Sequence, residues 1–334
     1  MITIYDIAKK CKVSSATVSK ALNDLSDVAP KTKLRIKNVA EELGYSPNVQ
    51  ARTLSTKKSY IIGIIFTDDK FQHPFWGNIL EHIRRELEGM GYDMVFLSKN
   101  LKGIRYGYLE HCRWRSVDGV ILVSVNFDTE DIKKLLDSEI PCVLIDKESL
   151  YGTSIMSQNY EGTKRAVEYL VKCGHEKIGF VNGGTYATYV TRDRICGFKE
   201  AMAEAQIAIR EEWMKEGGYY QAQKTYKVVK SILALKERPT ALLLPDDSVA
   251  SACYQAANEL GLKVPDDISF IGHDGLALDG MIKPSLTTIA QDMEQIGKVA
   301  ASQVVRIANT KKVQKETIFI PTTLVEKESV RHFR

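Results

Sequence analysis

The sequence predicts an all-α helix-turn-helix head followed by an α/β core, in which two lobes each contain a doubly wound parallel sheet. Three observations lead to this fold class. Residues 4–23 carry two short helical patterns joined by a tight connection. Beyond residue 60, short apolar runs alternate with amphipathic helical patterns, which is typical of parallel sheets covered by helices. The 334 residues are enough for several domains that each bury a core.

The head opens with two short helices in close succession. Their buried faces are predicted from apolar residues at helical spacing, namely Ile4, Ile7 and Ala8 in the first helix and Val18, Ala21 and Leu22 in the second. Val13 lies in the connection, and Ser14 stands where an N-cap side chain could accept a hydrogen bond from the second helix. The outer face of that helix carries small and basic residues, namely Ser15, Ala16, Ser19 and Lys20. This arrangement predicts a helix-turn-helix.

Charge distinguishes two interpretations of this motif. It could be a two-helix corner of an ordinary core, or its second helix could enter the DNA major groove, with Lys20 on a guanine edge or a phosphate. Residues 1–60 contain eleven Lys and Arg against five Asp and Glu, a net charge of +6. Because the whole chain carries +4, the remaining residues carry −2. A basic excess confined to the head favours DNA binding, since such a module displaces counterions from phosphates.

A third helix is predicted over residues 30–43. Pro30 suits its first turn, and Gly44 suits a left-handed stop. The apolar positions that could close the core of the head are Leu34, Ile36, Val39, Ala40 and Leu43.

The rest of the chain reads as alternating strands and helices. Buried strands are predicted at residues 61–66, 94–97, 120–123, 142–145, 178–181, 241–244 and 268–271. Amphipathic helices are predicted at residues 79–90, 162–171, 197–205, 226–235 and 249–260. These strands are too many for one comfortable sheet, so two lobes fit better.

Polar side chains follow several of these strands, where open α/β sheets bind their ligands. The candidate ligand-binding residues at these positions are Asp68, Phe75, Trp76, Asp146, Asp246 and Asp274. Paired aspartate oxygens suit vicinal hydroxyls, so a sugar or sugar derivative is the preferred ligand. Each charge could instead belong to a solvated ion pair, and Phe75 or Trp76 could be a core or lobe contact and not a stacking platform.

Composition and motifs limit the remaining function classes. Hydrophobic residues make up 44% and charged residues 26%, ordinary values for a soluble globular protein. The six cysteines are scattered, which favours reduced thiols, and no cofactor is expected. The sequence lacks a signal-peptide pattern and a membrane-length apolar run, so we expect a cytoplasmic protein. A sugar-processing enzyme is the alternative, but no catalytic motif of the familiar hydrolase or nucleotide-binding kinds occurs.

The head closely resembles that of the lac repressor family of transcription regulators, and the resemblance continues through nearly the whole chain. It is carried by the run Thr3 to Asn23 and by Val28, Lys31, Thr32, Gly44, Tyr45, Pro47, Asn48, Ala51, Arg52 and Leu54. The resemblance implies a DNA-binding domain over residues 1–46, a hinge helix and linker over 47–59, and an effector-binding and dimerisation core of periplasmic-binding-protein type over 60–334. The implied N-lobe comprises about 60–159 and 289–320, and the implied C-lobe about 160–288 and 321–334. A sugar receptor shares this core fold, but the basic head and the absent signal peptide argue against that alternative.

The resemblance also implies contacts with a near-palindromic operator, bound by a homodimer. The implied DNA-binding residues are Thr3, Tyr5, Ser14, Ser15, Ala16, Thr17, Ser19, Lys20, Asn23, Lys31, Thr32, Tyr45, Asn48, Ala51, Arg52 and Leu54. Residues 48–54 are implied to form a hinge helix only on DNA, where Leu54 would be an apolar wedge in the minor groove. Without DNA the same segment would be a plain polar linker.

Within the core, the resemblance implies that the lobes enclose an allosteric effector site, to which it adds Arg194, Tyr219 and His273. A bidentate arginine next to the aspartates also suits vicinal hydroxyls. Arg194 lies in an Arg-x-x-Gly-aromatic motif of the family, and Tyr219 stands where relatives often place an aromatic ligand contact. Two departures stand out. Ala29 replaces the Ser or Thr that usually caps the third helix, and His273 replaces a common apolar aromatic, which could make binding sensitive to pH.

Overall fold

The computed structural model describes residues 2–22, 24–45, 58–66, 73–101, 104–127, 129–147, 152–184, 189–312 and 315–333. The chain divides into two compact units, Met1–Ser59 and Tyr60–Arg334. The described part of the first unit contains three helices, α1 (Ile4–Cys11), α2 (Ser15–Leu22) and α3 (Pro30–Glu42). None of the helices in the described ranges is both long and apolar enough to span a bilayer.

The three helices enclose a small apolar core. Ile7, Val18, Ala21 and Ile36 are its most buried members. Leu34 departs from the prediction because its side chain is 62% exposed. It precedes Ile36 by two residues, which is roughly 200° around a helix, and therefore lies on the opposite face.

The ends of α3 follow the local sequence. Ala29 stands at the N-cap and makes no side-chain cap hydrogen bond, as its methyl group requires. Gly44 has a φ of +64°, the left-handed conformation predicted for a helix stop.

The second unit contains two six-stranded sheets, as predicted for a two-lobed α/β core. The N-lobe sheet is parallel throughout, with strand order β13-β7-β6-β5-β1-β2. Its strands are β1 (Ile61–Phe66), β2 (Asp93–Phe96), β5 (Gly119–Val123), β6 (Cys142–Ile145), β7 (Thr153–Ser157) and β13 (Glu316–Ile320). A short antiparallel pair, β3 (Asn100–Leu101) and β4 (Ile104–Arg105), lies apart from this sheet.

Helices cover both faces of the N-lobe sheet. The helices α4 (Pro74–Gly89) and α11 (Met293–Thr310) pack against one face and form a large core with Ile62, Ile64 and Val143. The helices α5 (Tyr108–Arg115) and α6 (Glu130–Leu136) pack against the other face, over Ile65 and Leu122.

The C-lobe sheet has the order β14-β12-β11-β10-β8-β9, in which only β14 runs antiparallel to its neighbour. Its strands are β8 (Ile178–Asn182), β9 (Met214–Glu216), β10 (Ala241–Leu243), β11 (Ser269–Asp274), β12 (Thr287–Gln291) and β14 (Thr322–Val325). One face is covered by α7 (Asn159–Lys172) and α8 (Tyr189–Glu204), and the other by α9 (Ala222–Leu233) and α10 (Ala250–Glu259).

The chain passes between the two sheets three times, at Gln158, Asp292 and Pro321. The sequence predicts the second of these passages at about residue 289. That residue lies inside β12, which belongs to the C-lobe sheet. At or just after their carboxyl ends, β6 of the N-lobe sheet and β10 and β11 of the C-lobe sheet lead to Asp146, Asp246 and Asp274 respectively.

Candidate DNA-binding head and effector site

The N-terminus of α2 is capped as its sequence predicts. The Thr17 amide donates a hydrogen bond of 3.0 Å to Ser14 Oγ, and the two hydroxyls lie 2.8 Å apart. This cap fixes the start of α2, where a recognition helix meets base edges. The side chains predicted to face DNA there are exposed or half-buried, namely Ser14, Ser15, Ala16, Thr17, Ser19 and Lys20.

Lys20 is held by an ion pair within the head. Its ammonium group contacts the Asp27 carboxylate, and this cation lowers the pKa of Asp27. Both side chains are about half exposed, and exposed pairs contribute little to stability. Lys20 can therefore exchange this partner for a phosphate or a base edge at small cost.

The other described head positions lie at the surface of the same unit. Thr3 caps α1 through a reciprocal pair of hydrogen bonds with Asp6, and the Tyr5 side chain beside it is 71% exposed. Lys31 is exposed and Thr32 half-buried, whereas Tyr45 packs partly against the apolar core. Asn23, Asn48, Ala51, Arg52 and Leu54 lie outside the described residues.

In the core, Arg194 lies at the centre of the predicted effector residues. The helix α8 carries it into a buried position, where its Nε donates to Asn159 Oδ1 and its Nη1 donates to the Pro245 carbonyl, each at 2.8 Å. The guanidinium carbon lies 5.4 Å from the centre of the Tyr219 ring. A buried cation held on two sides is a fixed fork with further N–H groups still available to a ligand.

Three of the predicted aspartates surround this cation. Burial raises the pKa of Asp146 to about 6, raises that of Asp246, and raises that of Asp274 well above its ordinary value. The charge of Arg194 opposes the rise in each case. The structure thus brings Asp146, Asp246 and Asp274 together around one guanidinium group, although they are far apart in sequence.

Several polar atoms in this region are buried without a hydrogen-bond partner among the described residues. Asp274 accepts a hydrogen bond of 2.8 Å from Gln291 through Oδ1, which leaves Oδ2 in this state. Gln291 Oε1 and His273 Nε2 are likewise buried without a hydrogen-bond partner among the described residues. Burial also lowers the pKa of His273 well below its ordinary value, which keeps the ring neutral. Because buried polar groups in native proteins are nearly always satisfied, these atoms point to a ligand or to water that would satisfy them.

The aromatic candidates differ in position. Tyr219 lies beside Arg194, and its hydroxyl is 3.1 Å from Thr191 Oγ1. Phe75 is 1% exposed and belongs with Trp76 to the N-lobe core, which matches the alternative interpretation of these two rings as core contacts. Trp76 Nε1 is a further buried donor without a partner in the described structure. Asp68 lies outside the described residues.

Sequence reasoning missed three neighbours of the site. The sequence marks Asn159 only as the boundary between the lobes, yet its amide oxygen accepts a hydrogen bond from Arg194. Gln291 ends β12 and binds Asp274, and Tyr220 donates its amide to Asp246 Oδ2 at 2.8 Å. Asn159 and Gln291 adjoin the passages between the sheets, so polar residues beside those passages were the signal that could have revealed them.

Comparison with known proteins agrees with this arrangement. Residues 3–48 match the family described as "Bacterial regulatory proteins, lacI family", and residues 167–330 match a periplasmic binding protein-like domain. The chain is 34% identical to the HTH-type transcriptional repressor PurR of Pectobacterium carotovorum subsp. carotovorum (strain PC1), with 99% of this chain and 97% of that protein covered. PurR of Yersinia pestis (strain Pestoides F) is 33% identical over the same shares. The chain belongs to the lacI family.

Two solved structures show the same fold. The lac repressor dimer bound to operator and the anti-inducer ONPF superposes with a TM-score of 0.79 at 26% identity, covering 99% of both chains. The complex of the transcriptional regulator CelR with cellobiose gives a TM-score of 0.71 at 22% identity, over 98% of this chain and all of that one, and shows the fold alone.

Family membership decides between the function classes left open by the sequence. The chain is a DNA-binding transcriptional repressor under the control of an effector, because its close relatives over the full length are repressors of this kind and not enzymes. The predicted family and fold class are therefore confirmed.

Proposed function

We propose that the chain acts as a cytoplasmic homodimer that represses transcription from a near-palindromic operator and responds to a sugar or sugar derivative bound beside Arg194. The effector-site proposal is supported by the proximity of Asp274 to the charge of Arg194 and by the hydrogen bond from Gln291 to Asp274, since Asp274 Oδ2 and Gln291 Oε1 are buried without a partner among the described residues. The similarity to the lac repressor dimer on its operator supports the dimer and the symmetric DNA site.

The chemistry of these groups supports a polyhydroxylated ligand. Gln291 Oε1 can accept a hydrogen bond from a ligand hydroxyl, Asp274 can accept one or donate one when it is protonated, and Arg194 donates to hydroxyl oxygens. A ligand that supplies only acceptors would leave Gln291 Oε1 unsatisfied and would lose affinity. Tyr219 offers a ring face against which the apolar side of a sugar can pack.

A planar nitrogen heterocycle is the second candidate effector. Tyr219 and Tyr220 lie with ring centres 6.1 Å apart, and the Tyr220 ring lies 3.6 Å from that of His73. Such aromatic surroundings suit a flat ring, and ring N–H groups could donate to Asp274 as well as hydroxyls can. The two ligand classes share the Asp274 contact and differ in their need for stacking.

The proposed response is a shift between two closures of the lobes. The effector contacts side chains of both lobes and favours one closure, to which the DNA-binding form of the dimer is linked. The operator affinity then changes by the effector's differential affinity for the two closures, on the order of 1–3 kcal/mol.

A thermal-shift screen tests the effector proposal directly. Purified protein is heated with monosaccharides, disaccharides, sugar phosphates, nucleobases and nucleosides, because a ligand of the folded state raises the melting temperature by mass action. A sugar that stabilises the wild type but not the Asp274→Asn variant supports the proposal. If only heterocycles stabilise the wild type, the effector belongs to the second class.

Selection from random duplex DNA tests the operator proposal. The full chain should recover an inverted repeat, with an affinity that depends on protein dimerisation. Recovery of single, non-repeated sites would contradict the symmetric dimer.

A further inference from the structure

Three side chains of the C-lobe pack against the apolar core of the N-lobe, namely Tyr220, Leu276 and Leu278. Leu276, which follows β11, is 5% exposed and belongs to the cluster of Ile62, Ile79 and Val304. Tyr220, which precedes α9, packs against the same cluster, and its ring centre lies 3.6 Å from that of His73. Leu276 and Tyr220 lie in different loops of the C-lobe, and both contact the N-lobe.

Two adjacent buried carboxylates accept hydrogen bonds from the backbone amides of Tyr220 and Leu276. Asp246 Oδ2 accepts a hydrogen bond from the Tyr220 amide at 2.8 Å, and Asp247 Oδ2 accepts one from the Leu276 amide at 2.7 Å. Asp247 is fixed in turn by the Thr288 hydroxyl, which donates to its Oδ1 at 2.6 Å. One dipeptide of the C-lobe therefore holds two of these three residues, Tyr220 and Leu276.

The local backbone indicates that the surrounding structure holds Tyr220 and Asp247 in these positions. Tyr220 has a φ of +58°, a left-handed conformation that bulky residues rarely adopt unless their surroundings hold it. A Cβ atom on Gly272 would lie 2.0 Å from Asp247 Oδ1, so the absence of a side chain there leaves room for the carboxylate.

The same loop also joins this contact to the effector site. Asp274 ends β11 with its unpartnered oxygen, and Leu276 lies two residues further along the chain. The segment between them includes Gly275, where an added Cβ would lie 2.6 Å from Ala290 Cβ. This short segment is packed closely on β12. A displacement of Asp274 therefore moves Leu276 as well.

We propose that Asp246 and Asp247 form a coupling element that seats Tyr220 and Leu276 in the N-lobe and thereby links occupation of the effector site to lobe closure. In this arrangement Asp247 and Leu276 are positioning residues for the response, distinct from the groups that touch the effector. The inference rests on the proposed function for its consequence at the operator, but the lobe contact itself is open to an independent measurement.

The test compares two leucine truncations in the full chain without any ligand. Leu276→Ala removes the side chain seated in the other lobe. Leu286→Ala is the matched control, because Leu286 is 3% exposed but packs within the C-lobe cluster of Phe270 and Trp213. Leu276→Val retains most of the side chain and should give an intermediate result if the alanine variant does not fold.

Hydrogen exchange is read at the Tyr220 amide, far from position 276 in sequence but part of the same coupling element. We expect Leu276→Ala to speed this exchange at least about tenfold relative to Leu286→Ala, because release of one lobe contact exposes the other. Equal exchange in the two variants would overturn the proposal.

Operator affinity is the second readout, measured with the inverted-repeat duplex recovered by selection. Leu276→Ala should change the affinity of the effector-free protein at least about fivefold, while Leu286→Ala leaves it within about twofold. Faster exchange without a change in DNA affinity would contradict the link to closure. If the wild type recovers no inverted repeat, the proposed function fails, and the exchange experiment still decides whether the lobe contact is coupled.

Discussion

Replacement of Asp247 by asparagine tests whether the C-lobe contains an acid that titrates near neutral pH. Burial raises the pKa of Asp247 from 3.8 to about 7, although the Thr288 hydroxyl and the Leu276 amide donate hydrogen bonds to it. An acid whose pKa rises on folding binds more protons in the folded state than in the unfolded state. Its contribution to the free energy of unfolding therefore decreases as the pH rises between the two pKa values.

The size of the effect follows from these pKa values. Compared with an acid that stays protonated, Asp247 lowers the free energy of unfolding by roughly 2 kcal/mol at about pH 5 and by roughly 4 kcal/mol at about pH 8. Asparagine retains an oxygen that can accept from the Leu276 amide, and it has no titratable proton. The stability of Asp247→Asn relative to the wild type should therefore increase by roughly 2–3 kcal/mol between these pH values.

Urea unfolding followed by tryptophan fluorescence measures this difference, because Trp213 is buried in the C-lobe. Titrating groups that do not interact with Asp247, including His273, contribute equally to both proteins and cancel when the variant is compared with the wild type. The charge of Asp247 raises the pKa of Asp274, so the measured difference includes that interaction. Asp137→Asn serves as the control, since this exposed carboxylate remains hydrated in both states. A stability difference that does not change with pH would refute the reasoning.

Three further predictions concern the DNA and effector sites. Arg194→Ala removes the donors to Asn159 and Pro245, so it should abolish the effector response and lower core stability by roughly 3–5 kcal/mol, as measured by titration and urea unfolding; a normal response would exclude Arg194 from the site. Leu54→Ala should weaken specific operator binding by at least about tenfold in a gel-shift titration and leave the effector-induced thermal shift unchanged; unaltered operator affinity would contradict the wedge role. Operator affinity should fall by roughly 10³-fold or more between about 50 and 200 mM salt, and a flat salt profile would be incompatible with several phosphate contacts by the head.

Strands with continuous apolar runs could be predicted from the sequence, whereas polar buried strands could not. The runs at β1 and β5 are almost wholly aliphatic and were predicted to within a residue. By contrast, β7 buries Thr153, Ser154 and Ser157, and no apolar run marks it. Its position depends on pairing with β6, which precedes it closely, and with β13, which lies far away in the chain.

The candidate effector site shows a similar division. Asp146 and Asp274 follow predicted strands, so topology alone places each of them at the carboxyl edge of its own sheet. The hydrogen bonds of Asn159 and Gln291 could not be predicted, because they depend on the way in which the chain passes between the lobes. The burial of Phe75 in the N-lobe core could not be predicted either, because the sequence pattern shows only that this aromatic residue follows a strand.

The order in which the strands are used has a consequence for biosynthesis. The N-lobe sheet needs β13 and the C-lobe sheet needs β14, and only Pro321 separates these two strands. The head, in contrast, is complete within its own compact unit near the start of the chain. On the ribosome, an emerging polypeptide thus gains a folded cationic module long before either regulatory lobe can close its sheet. A nascent or prematurely terminated product that ends before residue 316 would hold a nucleic-acid-binding unit beyond the reach of any metabolite signal.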